Sequence, residues 1–189
     1  MCYISCHVET NGVNFDTSTR DINDGYRVVS VGLVACNENF EVQDEIIIFN
    51  YDVDSTDTEK YHGISNKFLS KYGVSEEEVA VEVSQFIISN TNVNRPIKLI
   101  GHNIATFSLP FLKQLLLDHD MSIQFSSNTI DTYSMLIGTM GEYSLSDVVE
   151  AFATEDQDEK YKRKELSALH KAHIFVNICQ MMRELGNAN

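Results

Sequence analysis

Hydrophobic and polar positions change rhythm along this chain, and the first third reads as strands. Cys2–Val8 is a short apolar-rich run, followed by a polar loop carrying Asn11-Gly12 and then Asp24-Gly25. Tyr26–Cys36 (YRVVSVGLVAC) is dense in β-branched residues, and Glu41–Phe49 (EVQDEIIIF) follows a turn near Asn37–Asn39. Branched Cβ atoms suit a pleated, half-buried surface, and Asn and Gly supply the turns. Three consecutive strands of this kind predict an antiparallel meander.

Helical spacing then takes over. Ser75-Glu76-Glu77-Glu78 has the form of a capping box, with Val79, Val83, Phe86 and Ile87 supplying an apolar face behind it. Pro96–Gly101 (PIKLIG) reads as a short buried strand. Ser108 is placed to cap a helix from Leu109 to about Asp118, with Pro110 in the first turn, where its missing N–H costs nothing. Ser144-Leu145-Ser146-Asp147 opens another helix through about Phe152. Thr154–Glu165 (TEDQDEKYKRKE) reads as a solvated connection whose Lys160, Lys162, Arg163 and Lys164 form a basic cluster on an exposed face. Leu166, Leu169, Ala172, Phe175, Val176 and Cys179 mark a last helix. Strands followed by helices mixed with further strands predict an α/β fold, a central mixed β-sheet flanked by helices, in one domain over 1–189. No internal repeat is apparent.

Charge changes this picture most. Fourteen Lys+Arg against 28 Asp+Glu leave a net charge of −14. A phosphate backbone is held mainly by Lys and Arg, so the balance opposes general nucleic-acid binding; the acidity serves either solubility or the binding of a partner. Glu45–Phe49 and Phe107–Leu117 are too short or interrupted to span a membrane, and the Met1-Cys2-Tyr3-Ile4 start lacks a signal pattern, so a cytoplasmic protein is expected. Cys2, Cys6, Cys36 and Cys179 form no CxxC pair and no zinc spacing, and are expected to be reduced.

Five segments in order resemble the DEDDh (DnaQ-like) 3′–5′ exonucleases of the ribonuclease H-like superfamily. Ile4-Ser5-Cys6-His7-Val8-Glu9-Thr10-Asn11-Gly12 matches the family's strand-borne Asp-x-Glu-Thr-x-Gly. His62-Gly63-Ile64-Ser65 is similar to its His-Gly-Ile-Thr linker. Gly101-His102-Asn103 followed by Phe107-Ser108-Leu109-Pro110-Phe111-Leu112 matches Gly-His-Asn…Phe-Asp…Phe-Leu. Ile130-Asp131-Thr132 resembles its Asp-Thr, and His170-Lys171-Ala172-His173-Ile174-Phe175 its His-x-Ala-x-x-Asp. The resemblance covers nearly the whole chain and implies the ribonuclease H-like exonuclease fold; a homodimer follows from resemblance alone.

The family's chemistry uses two divalent ions about 3.5–4 Å apart. These hard cations need several carboxylates. The resemblance places them at four positions, with a histidine as general base. Here three of those positions hold His7, Ser108 and Phe175; only Glu9 and the would-be base His170 remain. The expectation is a degenerate site in which these five positions are vestigial, with no metal, no cofactor and no catalytic residue. The protein then serves as a binding regulator or inhibitor, its acidic surface occupying a basic nucleic-acid-processing enzyme. Three alternatives stay open. One is an active DNA or RNA exonuclease with a non-standard Mg²⁺ or Mn²⁺ site. Another is a transition-metal site of His7, Glu9 and His170. The third is passive binding of single strands in the old groove by Phe or Tyr stacking. His62, His102, His119 and His173 read as structural or surface residues, with His102 and Asn103 tying the loop after a buried strand. The asparagine-rich sequence suggests a viral source, which would place the protein in host cytoplasm.

Overall fold

The computed structural model describes residues 2–12, 26–92, 94–141 and 144–187. Three strands come first: β1 (Tyr3–Thr10), β2 (Val28–Cys36) and β3 (Val42–Phe49). They form the expected antiparallel meander, with His7 opposite Gly32 and Glu9 opposite Ser30. Asn37 closes the β2–β3 turn by accepting at Oδ1 from the N–H groups of Asn39 and Glu41. The Asp24-Gly25 turn lies outside the described residues.

Two short helices follow, α1 (Glu59–His62) and α2 (Asn66–Tyr72), then α3 (Glu76–Asn90). The Ser75/Glu78 capping box opens α3, and Val79, Val83, Phe86 and Ile87 are its buried face. Strand β4 (Lys98–Gly101) pairs parallel with β1, and β5 (Ile130–Asp131) pairs parallel with β4. The sheet order is therefore β3-β2-β1-β4-β5, mixed and flanked by helices as expected. Helices α4 (Ser108–Asp118), α5 (Thr132–Thr139), α6 (Leu145–Phe152), α7 (Glu155–Lys160) and α8 (Ser167–Asn187) complete it.

Alternation along β1 divides the core. Ile4, Cys6 and Val8 pack with residues of α3 and α4, including Val83, Leu112 and Leu116. On the other face Val34, Cys36 and Ile100 pack with Ala172, Phe175, Val176 and Cys179 of α8. Helix α8 lies hard on the sheet: a methyl at Gly32 would stand 2.3 Å from the carbonyl carbon of Ala168. Only hydrogen at position 32 permits that approach. All four cysteines are free thiols. No helix among the described residues is long and apolar enough to cross a membrane.

Two local expectations are corrected. Ser108 does not cap α4. It is the first helical residue, Phe107 holds the cap position, and no side-chain cap bond forms there. The preceding turn meets the early donors instead, through Phe107 N–H to Asn103 O (2.9 Å) and Leu109 N–H to Ile104 O (2.9 Å). Thr154–Glu165 is not simply a solvated connection. Thr154 and Gln157 form a capping box that starts α7, and Tyr161 after it is buried.

Candidate functional site

Ser5, His7 and Glu9 point from β1 toward α8. Ser5 Oγ donates to the carbonyl of Ala172 (2.7 Å), fixing the helix against the strand. On α8, Ser167, Lys171 and Phe175 recur every four residues and so share one face. Ser167 Oγ and Lys171 Nζ both donate to Glu9 Oε1, each at 2.7 Å. His7 Nε2 lies 3.6 Å from the same oxygen. Glu9 thus meets an ammonium, a hydroxyl and an imidazole at the mouth of the sheet, with little exposure to water.

These contacts set the charges. Burial alone pushes the Glu9 carboxyl up, but His7 and the Lys171 ammonium outweigh it and hold the group well below the usual carboxylate range. Burial pushes the His7 imidazole down, and Lys171 lowers it further, against the opposing pull of Glu9. Glu9 and Lys171 meet as an ion pair.

The surroundings are apolar. Phe175 is completely buried, edge-on to the His7 ring (5.9 Å between centroids) and stacked with His102 (6.0 Å). Phe107 stacks on His7 at 6.1 Å. Among the described residues, His7 Nδ1 and Ser108 Oγ are buried without hydrogen-bond partners. No three His, Cys, Asp or Glu side chains among those residues converge in the way a metal ion requires.

His170 is turned elsewhere. Its ring stacks on Tyr161 (5.4 Å), and His173 stacks on Tyr161 too (5.2 Å). Glu45 of β3 organises this second cluster: it accepts from Lys160 Nζ (2.7 Å) and the Tyr161 hydroxyl (3.0 Å), with His173 Nε2 at 2.7 Å. The trio of His7, Glu9 and His170 is therefore not assembled as a ligand set.

The remaining motif residues are structural, as their sequence setting indicates. Ser65 caps α2, and buried His62 accepts from the Ile64 N–H at Nδ1 (3.1 Å). Asp131 caps α5 and accepts from the Asn103 N–H (3.1 Å), while His102 Nδ1 contacts Thr132 Oγ1 (3.2 Å). His119 lies 3.5 Å from Glu76. Sequence reasoning missed Lys171 and Ser167 as partners of Glu9. The signal was present, because Lys171 lies on the same helical face as Phe175.

No protein-family model matches the chain, and no curated protein sequence is similar to it. Solved structures are. The zinc-bound E. coli exonuclease I–single-stranded DNA complex matches at TM-score 0.67 with 10% identity, over 98% of this chain and 41% of that one. A moderately thermophilic exonuclease I from Methylocaldum szegediense matches at TM-score 0.64 with 12% identity, over 97% and 40%. An apo exonuclease I gives TM-score 0.64 and 11% identity, over 97% and 42%. The chain spans about two-fifths of these proteins' length, and what it shares with them is the α/β exonuclease fold of the ribonuclease H-like type.

Proposed function

We propose that this chain has kept an exonuclease fold without hydrolytic activity and acts by binding another protein. The observation that carries this reading is the Lys171 ammonium, 2.7 Å from the one carboxylate left at the former metal position. Two divalent ions bring four positive charges and demand several hard oxygen ligands. Glu9 supplies one charge, already neutralised, and the buried Phe175 ring supplies no ligand atom. A metal ion would have to displace Lys171 and then find itself beside phenyl rings. These residues do not fit the two-ion centre.

With chemistry gone, what remains is surface. A net charge of −14 suits a basic partner, such as a nucleic-acid-binding enzyme whose cleft the acidic surface would occupy. The role is then that of a regulator or inhibitor, in the cytoplasm. A competing reading, an active nuclease with unusual ligands, draws on the unpartnered His7 Nδ1 and Ser108 Oγ. One assay decides between them. Labelled single-stranded DNA and RNA, incubated with the protein in Mg²⁺ or Mn²⁺, should stay full length. Shortening that disappears in a Glu9→Ala variant would overturn the non-catalytic reading.

A further inference from the structure

Helices α5, α6 and α8 close on one another through Leu136, Val148, Ile174 and Ile178, all buried. Met135, Val149, Phe152 and Met182 pack around them and stay partly open to solvent. Two apolar stripes then run out of this cluster. On α5, Met140 lies one turn beyond Leu136, its N–H donating to the Leu136 carbonyl (2.7 Å); it is 51% exposed, and Ile137 is 45% exposed. On α8, Ile178, Met182 and Leu185 follow one another along one helical face, from full burial to 57% exposure at Leu185. A methyl added at Gly138 or Gly141 would meet nothing within 4 Å among the described residues, so the flank of α5 is open.

Charge around this face has one sign. Residues 131–159 hold eight Asp and Glu and no Lys, Arg or His. On α6, Asp147 and Glu150 stand one turn apart on the exposed side, away from the buried Val148, and Glu155 and Asp156 open α7 in exposed positions. Helix α8 adds the exposed Glu184. The cations on the elements packed against the cluster are bound to other groups. Lys171 meets Glu9 and Lys160 meets Glu45, each at 2.7 Å, Arg183 donates to the Glu38 carbonyl, and Lys98 of β4 lies over the Tyr3 ring at 5.9 Å.

We infer that this α5–α6–α8 face receives a basic amphipathic segment of a partner protein. Its apolar side chains would lie on Ile137 and Met140, and its lysines or arginines would meet the acids of α6 and α7. Two features select that occupant. First, apolar side chains exposed singly are ordinary, but these continue a buried cluster outward, and the flexible, polarizable methionines among them can repack around an inserted side chain. Second, a border of acids without a free cation is complementary to Lys and Arg and repels every anionic alternative. A nucleic acid or an anionic lipid surface would meet like charge, and so would a second copy of this chain, which brings the same acids to the same face. The inference rests on the reading that the chain works by binding a basic protein, and it supplies the face and the kind of segment; the loss of hydrolysis plays no part in it.

The test is fluorescence anisotropy of the full chain with two labelled peptides of equal charge, one a helical repeat of leucine and lysine, the other with serine in place of leucine. The leucine peptide should bind at least about tenfold more tightly than the serine peptide. Ile137→Ser with Met140→Ser, both at exposed positions, should remove that advantage. Glu150→Lys with Glu155→Lys should weaken both peptides, whereas Asp57→Lys with Glu77→Lys, an equal charge change at exposed positions elsewhere, should weaken them far less. Binding that is indifferent to the Ile137/Met140 pair, or equally sensitive to both charge reversals, would overturn this face while leaving a basic partner for the chain as a whole. No binding of either peptide would count against both. Self-association in sedimentation that Ile137→Ser with Met140→Ser abolishes would put a second copy on the face and overturn the proposal as well.

Discussion

Replacing Lys171 by methionine keeps most of the side chain's volume and removes only its charge. In the native protein the ammonium lies 2.7 Å from Glu9 Oε1, with the two side chains 20% and 11% exposed. At that separation, and an effective dielectric constant of about 20, the gross attraction is about 6 kcal/mol. Part of it offsets the desolvation of both ions, so the net worth of the pair is smaller. In Lys171→Met the Glu9 carboxylate stays buried with only Ser167 and His7 for company. Loss of one member of a buried pair costs about 3–5 kcal/mol, and partial exposure here brings the expectation to about 2–4 kcal/mol. A domain of this size has about 5–15 kcal/mol in hand, so the variant should still fold. Urea denaturation with linear extrapolation measures the loss. The double variant Glu9→Gln with Lys171→Met leaves no stranded charge and should recover at least half of it. A Lys171→Met protein within about 0.5 kcal/mol of the native one, or a double variant no more stable than the single, would refute the reasoning.

Two further outcomes follow from the same packing. Gly32→Ala sets a methyl against the backbone of Ala168, which cannot yield as a side chain would, so a loss of about 3 kcal/mol is expected in thermal or urea unfolding; a loss under about 1 kcal/mol would mean that α8 does not lie flush on β2. Burial holds His7, His62, His102 and His173 below the ordinary histidine value of 6.5, so the unfolded chain takes up protons that the folded one refuses. Their contribution to stability is complete above pH 6.5 and falls as the pH drops below it, and the urea midpoint should be lower at pH 5.5 than at 7.5; an unchanged or higher midpoint at pH 5.5 counts against buried neutral imidazoles. Glu9, held below the usual carboxylate range, adds stability that fades only under its ordinary value of 4.5, a second and more acidic loss.

Local signals carried the architecture. The β-branched runs gave β1, β2 and β3 to within two residues at each end, because strand preference there agrees with burial on both faces of β2. The capping boxes at Ser75 and Ser144 were legible because both partners lie three residues apart. The same pattern at Thr154 and Gln157 was hidden within a charged run that resembles solvated chain, and nothing local announced that Tyr161 would be buried against His170 and His173. Ser108 misled for the opposite reason. Its residue type suits a cap, yet the turn from Asn103 had already met the donors. At the site, the sequence showed which residues stand at 7, 108 and 175 but not what surrounds them. The partner of Glu9 was missed although Lys171 shares a helical face with Phe175, because the two residues are 162 positions apart and a lysine on a helix ordinarily faces water.

The contact between Lys171 and Glu9 limits which replacements this part of the molecule accepts. Removing the lysine alone strands an acid, and placing an aspartate at the sealed position of Phe175 adds another before any ion has room to enter. Either change alone gives a chain less stable than its parent. Positions 9, 171 and 175 are therefore coupled, and a replacement at one is tolerated only together with replacements at the others.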